Sequence, residues 1–109
     1  MIKKTIAKEL GPEIFAQALA IFLDNADRDF TLLNLYIESQ DYTNSKSMTH
    51  KLIGTCEAIG VKKLPRILRI MDEDLKKRYV NSNNLKEANE IYEKLVDFIR
   101  EEYEIELAQ

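Results

Sequence analysis

Apolar residues recur every three or four positions along most of the chain. From Pro12 to about Ser39 they fall at Phe15, Leu19, Phe22, Ala26, Phe30, Leu33 and Ile37. That spacing lines one face of a helix and predicts a long amphipathic element. The same rhythm runs through Ile2, Ile6 and Leu10, through Leu64, Leu68, Met71, Leu75 and Tyr79, and through Ala88, Ile91, Leu95, Phe98 and Ile99. Breaks fall between these runs. Gly11-Pro12 ends the first short element, and Pro12 suits the first position of the next helix, where its missing N–H is no loss. Gln40 to Thr43 is polar and turn-like, and Thr43 or Asn44 is placed to cap a third helix that ends at Gly60, a natural helix terminator. Pro65 is tolerable only in the first turn of a helix starting near Lys62. Asn81-Ser82-Asn83-Asn84 reads as loop and cap before a last helix from Leu85 to about Leu107. Long amphipathic helices with short polar connections predict an all-α fold, an antiparallel four-helix bundle with a short additional N-terminal helix.

Length and composition narrow this further. The 109 residues fit one domain, 1–109, and 45% hydrophobic with 32% charged residues is enough to build a core. No run approaches the roughly 18 apolar residues that cross a bilayer, and the N-terminus lacks the apolar stretch of a signal peptide. A single cysteine forms no internal disulfide, so Cys56 reads as a small buried hydrophobe in a reducing, cytoplasmic setting. A net charge of −3 argues against sequence-independent nucleic-acid binding. The charge is uneven: Lys62 to Arg78 holds seven basic and three acidic residues, Lys86 to Glu106 three basic and eight acidic. Two solvated helix faces attracting each other account for this; so does a basic segment that meets an acidic partner or an anion.

Candidate chemistry gathers in Thr49-His50-Lys51-Leu52-Ile53-Gly54-Thr55-Cys56-Glu57-Ala58-Ile59-Gly60. This stretch holds the only histidine, the only cysteine and two of the three glycines. On a helical wheel at about 100° per residue, Met48, Leu52, Thr55 and Ile59 gather about 140° to 200° from His50, with Cys56 at their edge. His50 is therefore expected on the outer face. A glycine inside a helix costs about 1 kcal/mol relative to alanine, so Gly54, one turn beyond His50, needs a reason. Its absent side chain opens the imidazole to a large partner. Ile53 on the same side suits a docking patch, and Lys46 on the preceding turn brings positive charge. A single histidine supports no multi-histidine metal site, and no GxxxxGK[ST] or GxGxxG loop is present.

The stretch resembles the signature of histidine-containing phosphotransfer (HPt) domains, roughly His-x-Leu-Lys-Gly, a small-residue run, then Leu-Gly. His50, Leu52, Gly54, Ile59 and Gly60 match in place, and the chain's length and helix order fit as well. One residue departs: the family lysine three positions after the histidine is Ile53 here. Lys51 lies about 100° round from His50 and is a poor substitute, while Lys46 is better aimed. Glu57 is a second departure, a carboxylate on the His50 face that would repel a phosphorylated histidine slightly or simply contact Lys46 or solvent.

The resemblance implies that Nε2 of His50 accepts a phosphoryl group from a receiver-domain aspartyl phosphate and passes it to another receiver. Lys46, Asp72 and Lys76 would support the phosphoryl group or the imidazole, with Asp72 accepting Nδ1–H. Ser47, Lys51, Ile53, Gly54, Glu57 and Arg69 would dock the partner, with Lys62 and Arg66 as weaker candidates. Phosphoryl transfer needs in-line placement and charge neutralisation more than covalent help from the protein, and the receiver brings the Mg²⁺. The chain would need no cofactor or metal of its own and would not be an enzyme by itself. It would be a stand-alone, monomeric phosphoprotein of bacterial two-component signalling. Its partners would be response-regulator receiver domains and a hybrid sensor histidine kinase, without nucleic acid or membrane. The alternative is a non-phosphorylated helical-bundle adaptor that binds a receiver or kinase, a reading that Ile53 favours. A third is an unrelated helical bundle, which a buried His50 would support.

Overall fold

The computed structural model describes residue 2 and residues 4–103, and its regular elements are all α-helices: α1 (Lys4–Leu10), α2 (Pro12–Glu38), α3 (Tyr42–Ala58), α4 (Lys63–Lys76) and α5 (Ser82–Tyr103). An isolated bridge pairs Ile2 with Val61 and ties the N-terminus to the α3–α4 turn. Among the described residues no helix is long and apolar enough to cross a membrane. The part of the expected last helix beyond residue 103 lies outside the described residues.

The helix boundaries follow local chemistry. Gly11, at φ 85°, turns the chain into α2, and Pro12 opens the helix as expected. The cap of α3 is neither Thr43 nor Asn44. Asp41 fills it, its carboxylate accepting the Asn44 N–H at 3.1 Å and the Asn44 side-chain amide at 2.6 Å. A carboxylate there satisfies a donor the helix leaves open and meets the positive end of the helix dipole. Asn81 does the equivalent for α5 by accepting the Asn83 N–H at 2.9 Å, so that helix starts at Ser82, three residues before the expected Leu85. Three helices end alike. After α2, α3 and α4, the residues Gln40, Gly60 and Arg78 take positive φ of 58°, 83° and 56°. In each case the next residue's N–H reaches back to a carbonyl of the last turn: Asp41 to Tyr36, Val61 to Cys56, Tyr79 to Asp74. This is the Schellman arrangement.

The core lies where α2, α3, α4 and α5 meet. Helix α3 packs on α2 and α4, α5 packs on α4 and α2, and α1 lies against α2. Phe15, Leu19, Phe22, Ala26, Phe30 and Leu33 of α2 are buried as expected, together with Leu52, Leu64, Leu68, Met71, Leu75, Ala88, Leu95 and Ile99. Phe30 stacks on Tyr92, with centroids 4.2 Å apart and planes 16° from parallel. Asn34 and Asn89 exchange two amide hydrogen bonds of 3.0 Å and fix α2 against α5.

The inner face of α3 is turned from the expected one. Ser45, Thr49, Leu52 and Cys56 are its buried residues, while Met48 and Thr55 are only partly buried. Hydroxyl chemistry explains the shift. Ser45 Oγ donates to the Asp41 carbonyl and Thr49 Oγ1 to the Ser45 carbonyl, each at 2.7 Å. Their polar atoms are satisfied within the helix, so these small side chains can face the core. Tyr79, expected to continue the α4 stripe, lies beyond the helix end and is half exposed.

Cys56 is buried, and burial, with the neighbouring Glu57 charge second, pushes its thiol from an ordinary 9.0 up to about 12. The native thiolate fraction is then about a thousandfold below that of a free thiol, and the thiolate is the reactive form. Iodoacetamide at pH 8 is expected to leave the native chain unlabelled and to label it readily in denaturant. Because the folded value is the higher one, this group's stabilising contribution is complete below pH 9 and is lost as pH rises towards 12. Fast native labelling at pH 8 would contradict the burial.

Candidate functional site

Helix α3 carries His50 on its outer side, with the side chain 58% exposed. This is the orientation the sequence predicts, and it follows from burying Thr49 and Leu52 on the other side. Across the α3–α4 contact, Asp72 lies one hydrogen bond away: Nε2 of His50 is 2.8 Å from Asp72 Oδ1. The Asp72 side chain is only 13% exposed. Asp72 was expected to meet Nδ1; it meets Nε2. With the neutral ring, Nε2–H donates to the carboxylate and the lone pair sits on Nδ1.

His50 borders a groove of about 540 Å³ that it shares with Tyr42, Thr43, Lys46, Ser47, Leu75, Lys76 and Arg78. Lys46 and Ser47 come from the turn before His50, and Leu75, Lys76 and Arg78 from the end of α4. Three cations, Lys46, Lys76 and Arg78, therefore line the groove that His50 borders. Lys76 donates to Glu73 Oε1 at 2.8 Å. That hydrogen bond and the lysine charge hold the Glu73 carboxyl below the usual carboxylate range, and the same contact raises Lys76. Both groups are fully exposed, so the pair adds local charge order rather than stability.

Other residues proposed for docking have different surroundings. Lys51 Nζ is 3.2 Å from Oδ1 and 3.1 Å from Oδ2 of Asp29, with hydrogen-bond geometry to Oδ1. Asp29 is buried in α2, so Lys51, its side chain still 52% exposed, ties α3 to α2. Ile53 is half-buried and packs against the core, which corrects its expected place in an open patch. The turned inner face of α3 carries Ile53 to the margin of the core. Glu57 accepts from Arg69 at 2.6 Å, not from Lys46, and the two charges neutralise each other between α3 and α4. They line a second groove with Lys62 and Arg66, which shares no residue with the His50 groove. Gly54 is exposed, and a Cβ there would meet nothing within 4 Å. Internal packing thus gives no reason for this glycine.

Sequence reasoning missed Tyr42, Thr43, Leu75 and Arg78. Leu75 appeared only as core, and Arg78 only as part of a basic run. Arg78 takes a positive φ and lies over the Tyr42 ring, and nothing in the sequence marks that turn. Among the described residues no group of three or more His, Cys, Asp or Glu is placed to hold a metal ion. Comparisons with protein-family models, curated proteins and solved structures find no match.

Proposed function

We propose that this chain is a cytoplasmic histidine phosphotransfer protein, an antiparallel four-helix bundle of HPt type with a short N-terminal helix. His50 is its phosphoacceptor, and it takes the phosphoryl group from a receiver-domain aspartyl phosphate and hands it to another receiver. The observation that carries this reading is an exposed imidazole, held by a carboxylate on the next helix, beside a groove lined by Lys46, Lys76 and Arg78. Neutral imidazole is a good nucleophile near neutral pH, and cations beside it offset the charge on the transferring group. The open surface at Gly54 leaves room for a protein-sized partner to reach the ring.

The Asp72 contact sets the order of events. Attack by Nε2 requires the imidazole to turn away from Asp72 and its proton to move to Nδ1 through solvent, which the ring's exposure permits. The aspartyl C–O–P linkage then breaks on the phosphorus side, the N–P bond forms, and the receiver recovers its carboxylate. Asp72 is thus a positioning residue that parks the ring between transfers. The reading is tested by mixing the chain with phosphorylated receivers. The expected result is loss of aspartyl phosphate from at least one receiver well ahead of its spontaneous hydrolysis. Discharge of every receiver tested at the spontaneous rate would sink it.

One observation favours a second reading, a non-phosphorylated adaptor. Ile53 replaces the family lysine and packs on the core, so no cation follows His50 on its own helix face. If a His50→Ala chain kept both receiver binding and biological activity, the adaptor reading would stand instead.

A further inference from the structure

The apolar residues that α2 leaves outside the core are not scattered. Ile14, Ile21 and Leu35 are each more than half exposed, and they stand at multiples of seven residues along one helix. The missing member of that series is Arg28, which is also exposed. Four residues after Ile14, Ile21 and Arg28 come Ala18, Asn25 and Leu32, each half-buried. Steps of four and three alternate, the spacing of a seam that one helix offers to another. The seam lies about 130° round α2 from its core stripe. Single exposed aliphatic residues are ordinary on a surface; a series in heptad register is not explained by the bundle itself. The two polar members are already in contact, Arg28 Nη2 donating to Asn25 Oδ1 at 3.2 Å. Arg28 is the only basic residue of α2.

We propose that this face pairs α2 with α2 of a second copy of the chain, antiparallel about a two-fold axis between Ala26 and Asp27. In that register Ala18 meets Leu35 of the second copy, Ile21 meets its Leu32, and Asn25 meets its Arg28. Each contact is made twice because the two copies are equivalent. Charge selects the arrangement. A parallel pair would set each residue against itself, with Arg28 on Arg28, a like-charge contact that opposes association. An antiparallel pair slipped by one heptad in either direction would set Arg28 and Asn25 against apolar residues, and their polar atoms would lose water without gaining partners. In the proposed register the Asn25 carbonyl oxygen accepts from the guanidinium of the other copy, and the neighbouring Asp24 brings an acid to the same cation. A single asparagine in such a seam fixes register and orientation. The seam shares no residue with the His50 groove, so the inference goes beyond the phosphotransfer reading and does not depend on it.

Sedimentation equilibrium of the whole chain tests the pairing. The expected result is association to a dimer at or below about 0.1 mM chain. Ile21→Glu is expected to weaken it at least about tenfold without changing the helical circular dichroism, because the side chain it replaces is exposed. Arg28→Glu, which sets a carboxylate beside Asp24 of the other copy, is expected to weaken it as well. Orientation is read by disulfide formation under native conditions, where Cys56 is buried. Ile21→Cys mixed with Leu32→Cys is expected to cross-link between unlike chains faster than either variant cross-links with itself. A wild-type chain that sediments as a monomer throughout that range would overturn the dimer. A dimer left at wild-type strength by both Ile21→Glu and Arg28→Glu would overturn this face, and faster cross-linking of each variant with itself would overturn the antiparallel register.

Discussion

A chain with glutamine in place of His50 is expected to take no phosphoryl group from a charged receiver while keeping its fold. His50 is the only histidine in the sequence, so no second imidazole can take over. An amide nitrogen has no available lone pair, and labelling should fall by at least about a hundredfold, to background, since the loss is of the nucleophile itself. The fold should survive because the site is peripheral. The His50 side chain is 58% exposed, and its hydrogen bond is the 2.8 Å contact with Asp72. A glutamine amide can donate to the same carboxylate, so Asp72 is not left unpaired. Surface changes of this kind stay within about 0.5 kcal/mol. Gel-shift or radiolabel transfer from the receiver checks the first half, and thermal denaturation by circular dichroism the second. Wild-type labelling in this variant would place the phosphate on another residue.

The largest structural effect is expected at Phe30. Replacing it by alanine should destabilise the chain by about 3–5 kcal/mol, lowering the melting temperature by at least about 12 °C for a domain of this size. Phe30 is 3% exposed and stacks on Tyr92. Its removal therefore leaves a cavity between α2 and α5 and also ends an aromatic contact. The surroundings relax poorly. Tyr92 is 7% exposed, its hydroxyl is buried without a hydrogen-bond partner among the described residues, and burial pushes the pKa of that hydroxyl up. Urea denaturation compares the two chains directly. A loss below about 1 kcal/mol, the size of a surface change, would show that α2 and α5 do not share a rigid core at this point.

The difference between legible and illegible parts lies in what periodicity carries. Phe15, Leu19, Phe22, Ala26, Phe30 and Leu33 announce α2 because burial of one face leaves a repeating apolar mark. The outward aim of His50 was legible for the same reason, as the opposite of an apolar face. The rotation of α3 was not. Ser45 and Thr49 are polar in composition, yet they are buried because each hydroxyl bonds a carbonyl four residues back. A pattern of side-chain polarity does not see that hydrogen bond, and Ile53 was misplaced with it. Pairing between elements was the second blind spot. The buried Asp29 reads as one more acid on α2 until Lys51 is found beside it. The 22 residues between His50 and Asp72 become one hydrogen bond only when α4 folds back on α3. Arg78 needed both kinds of knowledge, a left-handed turn and a neighbouring helix.

The most direct measurement of the central claim is the ³¹P spectrum of the chain after exchange with a phosphorylated receiver. A single phosphoramidate resonance, lost on acid treatment, stable to base and absent from His50→Gln, is the expected result. An acid-stable resonance, or a phosphoramidate signal that survives in His50→Gln, would contradict the assignment of His50 as the phosphoacceptor.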